Sequence, residues 1–230
     1  MLTKFDIARK NDHSLLKPQL TYADIKSGIE FAKETKCRTV CVTPNRVQMA
    51  YDILKGSETA VCSVVGFPNG CELTESKVAD TIRVYNMGAT EVDIVLNVTA
   101  LKSGDYEAVY NDVKAVVDCS PANIKVILEN CLLTKDEIAK ASRIISDAKA
   151  GFVKTSTGFS TGGATLEDIA IMRENIDLSR VQVKAAGGLS TLQDCEDFIA
   201  AGCDRLGISR TKAIFDEVDA RDAALAAEAE

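Results

Sequence analysis

Apolar residues recur along this chain with two alternating rhythms. Short, nearly continuous runs rich in valine and isoleucine are separated by longer stretches in which apolar positions return every three or four residues. The short runs predict strands at His13–Leu16, Arg38–Thr43, Val61–Val65, Glu91–Leu96, Ile124–Glu129, Gly151–Thr155, Val181–Ala185 and Asp204–Ile208. Continuous apolar character, rather than strict alternation, suits parallel strands covered on both faces. The longer stretches predict helices at Tyr22–Glu34, Asn45–Leu54, Leu73–Met87, Tyr106–Val117, Thr134–Ala148, Thr165–Glu174, Thr191–Ala201 and Thr211–Val218. Thr21 is the expected N-cap of the first, with Ile25, Ile29 and Ala32 on one face. Leu73–Met87 is expected to turn Val78, Ile82 and Tyr85 inward. Thr134 with Glu137 three residues later reads as a capping box.

The pattern repeats as eight βα units within 230 residues. Such alternation predicts a parallel sheet, and eight units favour a closed (β/α)8 TIM barrel over an open, doubly wound sheet. No linker or composition break interrupts it. One catalytic domain is therefore expected over 1–230, with a short N-terminal helix and a tail from about 219 to 230 that is a fraying helix end or disordered. In these barrels the chemistry sits at the C-terminal ends of the strands. Polar residues inside or just after the strands are thus the ones to weigh.

Composition narrows the partners. Hydrophobic residues make up 46% of the chain, enough for a full core. The net charge of −7, with no basic run, argues against a nucleic-acid partner. A small anion stays open, because backbone amides and a local cation can hold one phosphate. The eight cysteines show no CxxC spacing, and His13 is the single histidine, so no metal site is expected. The N-terminus carries no signal-peptide core, and no apolar run approaches a membrane span. The cysteines are accordingly read as reduced thiols of a cytoplasmic protein with no membrane partner.

Two lysines stand out. Lys154 ends Gly151-Phe152-Val153-Lys154, and Lys184 ends Val181-Gln182-Val183-Lys184. Each closes an otherwise apolar strand, and the sixth and seventh strands are neighbours in a barrel. Burial and a nearby like charge both lower a lysine pKa, which is how an amine becomes a nucleophile. The competing reading is a structural ion pair. Asp93 interrupts the fourth strand, where a buried carboxylate must pair or work. Glu129, at the end of the fifth, is a weaker candidate of the same kind. Thr155 to Thr165, Ala185 to Ser190, and Gly207-Ile208-Ser209-Arg210 form small, Gly/Ser-rich exits on three consecutive strands. Such exits expose amides that can cradle a phosphate. Arg210 either adds a cation there or points to solvent. Asp12 reads as a carboxylate lining the site. Cys41 either faces the barrel interior near the substrate or packs in the core, the commoner outcome for cysteine. His13 is read as structural or hydrogen-bonding rather than catalytic.

The segments Asp12–Pro18 (DHSLLKP), Val40–Pro44 (VCVTP), Val64–Pro68 (VVGFP), Glu91–Asn97 (EVDIVLN), Lys125–Glu129 (KVILE), Val153–Thr165 (VKTSTGFSTGGAT) and Val183–Gly188 (VKAAGG) resemble, in order, those of the deoxyribose-phosphate aldolase family. The resemblance runs from about residue 5 to about residue 215. It implies reversible aldol cleavage of 2-deoxy-D-ribose 5-phosphate to D-glyceraldehyde 3-phosphate and acetaldehyde. It implies that Lys154 forms the Schiff base, that Lys184 lowers its pKa, and that Asp93 relays protons with Lys184. Cys41 matches a pocket-lining cysteine, and Thr155 follows the Schiff-base position. The phosphate would lie on the amides of Gly158, Gly187 and Gly188 and near Ser209. No cofactor is implied, and a homo-oligomer, dimer or tetramer, is expected. The chain departs from the family in carrying Phe159 where some members have a base. It also has Arg210 where some have a small hydroxyl residue, and Asn11 where an apolar residue is common.

Three rivals remain at this point. A metal-dependent aldolase would draw on several histidines, and one is present. Another Schiff-base aldolase or transaldolase could share the fold. A non-catalytic barrel binding a phosphorylated metabolite could keep the glycine loops, but would have no need of Lys154, Lys184 and Asp93 together.

Overall fold

The computed structural model describes residues 1–228. Eight parallel strands close into a barrel in sequence order, the eighth pairing with the first. They are β1 (Asn11–Leu15), β2 (Thr39–Val42), β3 (Ala60–Val65), β4 (Glu91–Val95), β5 (Asn123–Ile127), β6 (Phe152–Lys154), β7 (Gln182–Ala186) and β8 (Arg205–Ile208). Around them lie α1 (Lys4–Lys10), α2 (Tyr22–Glu34), α3 (Val47–Leu54), α4 (Thr74–Asn86), α5 (Val98–Lys102), α6 (Tyr106–Asp118), α7 (Lys135–Asp147), α8 (Leu166–Glu174), α9 (Leu192–Ala200) and α10 (Thr211–Glu228). The eight expected strands are all present, with edges displaced by no more than two residues.

Helix starts follow local chemistry. Thr21 and Thr134 cap α2 and α7, and Asp24 and Glu137 return the bond to complete capping boxes. Each box satisfies two amides that a helix start would otherwise leave without a partner. Several elements differ from the sequence expectation, among them an unexpected 3-10 turn at Asn130–Leu132. Pro44–Arg46 forms a single 3-10 turn before α3, with proline at its first position, where no amide donor is needed. The short α5 was not expected at all. Helix α10 runs ten residues past Val218, so the tail is helical to Glu228. Its alanine-rich sequence has high intrinsic helix propensity, which removes the need for a buried face. Residues 229–230 lie outside the described residues.

On helix α4, Val78 and Tyr85 pack part-buried against the core as expected, but Ile82 does not turn inward and the most buried positions lie beside them. Lys77, Thr81 and Val84 are buried, whereas Ile82 is 40% exposed. The reason is a buried ion pair. The Lys77 ammonium donates to Asp112 Oδ2 at 2.7 Å and to the Val95 carbonyl at 3.1 Å, drawing that face onto the end of β4.

The apolar core divides in two. A large cluster fills the space between the strands and the helices. A small one, Leu16, Cys41, Cys62 and Val64 with Phe67 against it, lies inside the barrel on the β1–β3 side. Much of the rest of the interior is ionic, packed around the buried Phe152 ring. Among the described residues no helix is long and apolar enough to cross a membrane.

Candidate active site

Side chains two apart on a strand share a face, so one inward residue commits the next but one. On β4 this puts Glu91 and Asp93 inside together, and on β6 Phe152 and Lys154. Asp93 is level with Lys125 on β5, and Lys154 is level with Lys184 on β7. The interior therefore receives Lys125, Lys154, Lys184 and Arg205 with Asp12, Glu91 and Asp93, none more than 6% exposed. Seven buried charges are tolerable only because they are paired.

Asp93 is the hub. Its Oδ2 accepts from Lys154 Nζ at 2.8 Å and from Lys184 Nζ at 2.9 Å, and its Oδ1 accepts from Lys125 Nζ at 2.8 Å. Lys125 also meets Glu91 at 2.6 Å and Asp12 at 3.4 Å. Lys184 donates to Asp12, and Arg205 joins Asp12 to Glu91. The guanidinium of Arg205 and the ammonium of Lys125 both lie over the Phe152 ring, at 5.2 and 5.9 Å from its centroid.

Electrostatics fix several protonation states. Burial favours the neutral acid at Asp93, but Lys125, Lys154 and Lys184 outweigh it and hold this carboxyl well below the usual range. Asp12 is likewise ionised, against its burial, by Lys125, Lys184 and Arg205. Burial draws the Lys184 pKa down, yet Asp12 and Asp93 more than reverse this and hold it above the ordinary lysine value. Lys184 is thus a lasting cation beside Lys154, with a shared carboxylate between the two. Four cations face three anions in the cluster, so it carries one positive charge when every group is ionised. Loss of one lysine proton makes it neutral. Lys154 has a single carboxylate contact, and that oxygen is shared; Lys184 has two carboxylate partners and Lys125 three.

Above the cluster a cleft of about 130 Å³ opens on one half of the barrel mouth, between the exits of β6, β7, β8 and β1. Its walls include Lys154, Gly158, Gly187, Gly188, Ser209 and Lys17. Of the three interior lysines only Lys154 reaches it. Gly187 and Gly188 adopt φ of +81° and +86°, a region open mainly to glycine. Gly163 packs so close that a Cβ would lie 2.2 Å from the Gly187 carbonyl oxygen. Neighbouring amides are occupied: Thr157 N donates to Glu129, Phe159 N to Thr157 Oγ1 and Ser190 N to Asp194. Among the described residues no acceptor takes the amides of Gly158, Gly187 or Gly188. Three unpaired donors converging on a cleft suit an anion.

Several residues marked out in the sequence are brought together here, and several are not. Lys154, Lys184 and Asp93 form one contact group. Gly158, Gly187, Gly188 and Ser209 line the cleft. Asp12, Cys41 and Thr155 are off its wall. Asp12 is fully buried beneath, within the ion pairs. Thr155 Oγ1 donates to the Ala186 carbonyl and accepts from the Ala186 amide, at 2.9 and 3.0 Å, so it clamps β6 to β7. Cys41 packs against Cys62 in the interior apolar cluster. Arg210 lines a separate groove with His13, Asp24 and Lys212. Glu129, at φ +57°, uses its carboxylate to hold the Thr157 amide and hydroxyl, which shapes the loop after Lys154. Lys125, Glu91 and Arg205 were not singled out; Lys125 is a charge within a buried strand, the signal that marked Lys154 and Lys184, whereas Glu91 and Arg205 open theirs.

His13 has a structural place. Its Nδ1 lies 2.8 Å from Thr211 Oγ1, and its ring packs on Phe31. Burial pushes its pKa down to about 4. The unfolded chain, near 6.5, binds the proton first, so stability is full above about pH 6.5 and falls as pH drops toward 4. The loss is roughly 3 kcal/mol at most. Thermal melts of the wild type and of His13→Gln between pH 7 and 4 are expected to converge at the acid end. Parallel curves would deny His13 this role.

Comparison with known proteins agrees with this geometry. A family model described as DeoC/LacD family aldolase matches residues 3–216. A deoxyribose-phosphate aldolase of Bacillus cereus (strain G9842) is 48% identical over 211 residues, 91% of this chain and 94% of the relative. One of Bacillus cytotoxicus is 48% identical over 221 residues, 94% of this chain and 99% of the relative. Among solved structures, the tetrameric deoxyribose phosphate aldolase of Aeropyrum pernix superposes with a TM-score of 0.87 at 29% identity, covering 94% of this chain and 92% of that one.

Proposed function

This chain belongs to the DeoC/LacD family of aldolases, and from that premise we propose that Lys154 is the Schiff-base nucleophile through which it cleaves 2-deoxy-D-ribose 5-phosphate. The observation that carries the assignment is access. Lys154 is the interior lysine that lines the cleft, while Lys184 and Lys125 are sealed below it.

The reaction follows from the groups. Neutral Lys154 adds to C1 of the open-chain aldehyde, and loss of water gives an iminium, which serves as the electron sink. The C3 hydroxyl loses its proton, the C2–C3 bond breaks, and D-glyceraldehyde 3-phosphate leaves. The remaining enamine is protonated, and water hydrolyses the imine to release acetaldehyde. Asp93 and Lys184 serve as the proton relay. While Lys154 is a neutral amine or an enamine, Asp93 faces two cations instead of three, so its oxygen becomes a better proton acceptor at those stages. Asp93 is fully buried, so its protons travel by way of Lys184, Lys154 or a water. The phosphate end of the sugar lies on the amides of Gly158, Gly187 and Gly188, beside Ser209.

No step calls for a metal or an organic cofactor. The eight free thiols support a cytoplasmic setting. The Aeropyrum pernix tetramer supports a homo-oligomer.

The direct test is product analysis. Purified protein incubated with 2-deoxyribose 5-phosphate should release acetaldehyde and glyceraldehyde 3-phosphate in equal amounts. Sugar phosphate that binds but is never cleaved would instead mark a non-catalytic barrel.

A further inference from the structure

We propose that Lys17, at the exit of β1, is the cation that recognises the substrate phosphate and so sets the preference for a phosphorylated over an unphosphorylated deoxysugar. This rests on the aldolase reading above and adds to it a residue that neither the charge pattern nor the lysine-loop motifs singled out.

The need for a cation comes from the rest of the cleft. Gly158, Gly187 and Gly188 offer amide dipoles but no net charge, and the chain as a whole carries −7. A phosphate dianion entering that field gains most from a nearby full positive charge. Phe159 cannot supply one. It follows Gly158 in the loop and packs edge-on against Phe67 at 5.3 Å. Arg210 cannot supply one either, because it lines the separate groove between α2 and α10. Two cationic side chains line the cleft, Lys154 and Lys17. Lys154 is committed to Asp93 below and to the carbonyl carbon above.

Lys17 is placed for the task. Strand β1 pairs with β8, with His13 level with Ile208, so the β1 exit lies beside Ser209. The Lys17 side chain is exposed at the mouth, and no carboxylate among the described residues pairs with it. Its backbone is held by the following Pro18, which restricts the residue before it, and by the turn in which the Leu20 amide donates to the Lys17 carbonyl at 3.2 Å. The ammonium is thus a mobile tip on a fixed base, on the same lip as the glycine amides.

Two readouts test this. In steady-state kinetics, Lys17→Gln should lower kcat/KM for 2-deoxyribose 5-phosphate about tenfold, the low end for a charge-assisted contact at an exposed site. The loss should fall mainly on KM. With unphosphorylated 2-deoxyribose the change should be less than about twofold, and Lys17→Arg should recover most of the loss. The second readout needs no turnover. Inorganic phosphate should raise the melting temperature of the wild type, since a ligand of the folded state stabilises it, and this rise should shrink in Lys17→Gln. Equal losses with both sugars, or no loss with either, would overturn the proposal, as would an undiminished phosphate-induced rise. Failure of the wild type to cleave either sugar would count against the aldolase reading instead, and the melting shifts would still decide the role of Lys17.

Discussion

Replacing Lys154 with alanine should abolish aldol cleavage, with kcat/KM falling on the order of 10⁴-fold or more, as for the loss of other covalent nucleophiles. The protein should stay folded. Lys154 has one carboxylate contact, and Asp93 keeps Lys125 and Lys184 when it is gone. The seven-group cluster then holds three cations and three anions, so the substitution leaves no unbalanced charge. The deleted side chain also borders an open cleft that water can fill. An inactive but stable Lys154→Ala, with its melting temperature within a few degrees of wild type, is therefore expected. Lys154→Arg should be equally inactive, because a guanidinium stays protonated and cannot attack a carbonyl. Substantial activity in either variant would remove Lys154 from the covalent step.

Asp93→Asn should be costly in both activity and stability. The carboxylate accepts from three lysines, and asparagine would turn an amide toward one of them while removing the negative charge. Breaking a buried pair from one side leaves uncompensated charge and typically costs about 3–5 kcal/mol. With the proton acceptor gone, kcat should fall by about 10²- to 10⁴-fold. The same ion pairs set an acid limit for the wild type. Asp93 and Asp12 both have folded-state pKa values below their unfolded ones, so their contribution is complete above about pH 4. It is lost as pH falls through the folded values. Asp93→Asn should therefore lose less stability than the wild type below pH 4. Wild-type activity in this variant would sink the relay, and wild-type stability would sink the account of the cluster.

Most of the architecture could be read from the chain because a buried parallel strand announces itself. Runs such as Val92-Asp93-Ile94-Val95 are too short and too β-branched for helices, and they recur with regular spacing. Lys154, Lys184 and Asp93 were legible for the same reason, as charges inside segments that have to be dry. Lys125 carried that signal equally. Glu91 and Arg205 open their strands, where a charge more often faces solvent, so their inward direction becomes clear only once register is known. Depth was not legible either. Asp12 and Thr155 adjoin the right residues in sequence, but pairing places one under the floor and makes the other a clamp between strands. On α4, Val78 and Tyr85 were placed correctly and Ile82 was not, because Lys77 buries its stem and pairs with Asp112, a partner 35 residues away. Periodicity counts apolar side chains and does not see such a pair.

Reductive trapping tests the central claim most directly. Protein incubated with acetaldehyde and borohydride, then digested and analysed by mass spectrometry, should carry an ethyl group on Lys154 and none in Lys154→Ala. An adduct on Lys184 or Lys125 would keep the aldolase chemistry but contradict the assignment made from access to the cleft. No adduct on any interior lysine would contradict the covalent mechanism itself.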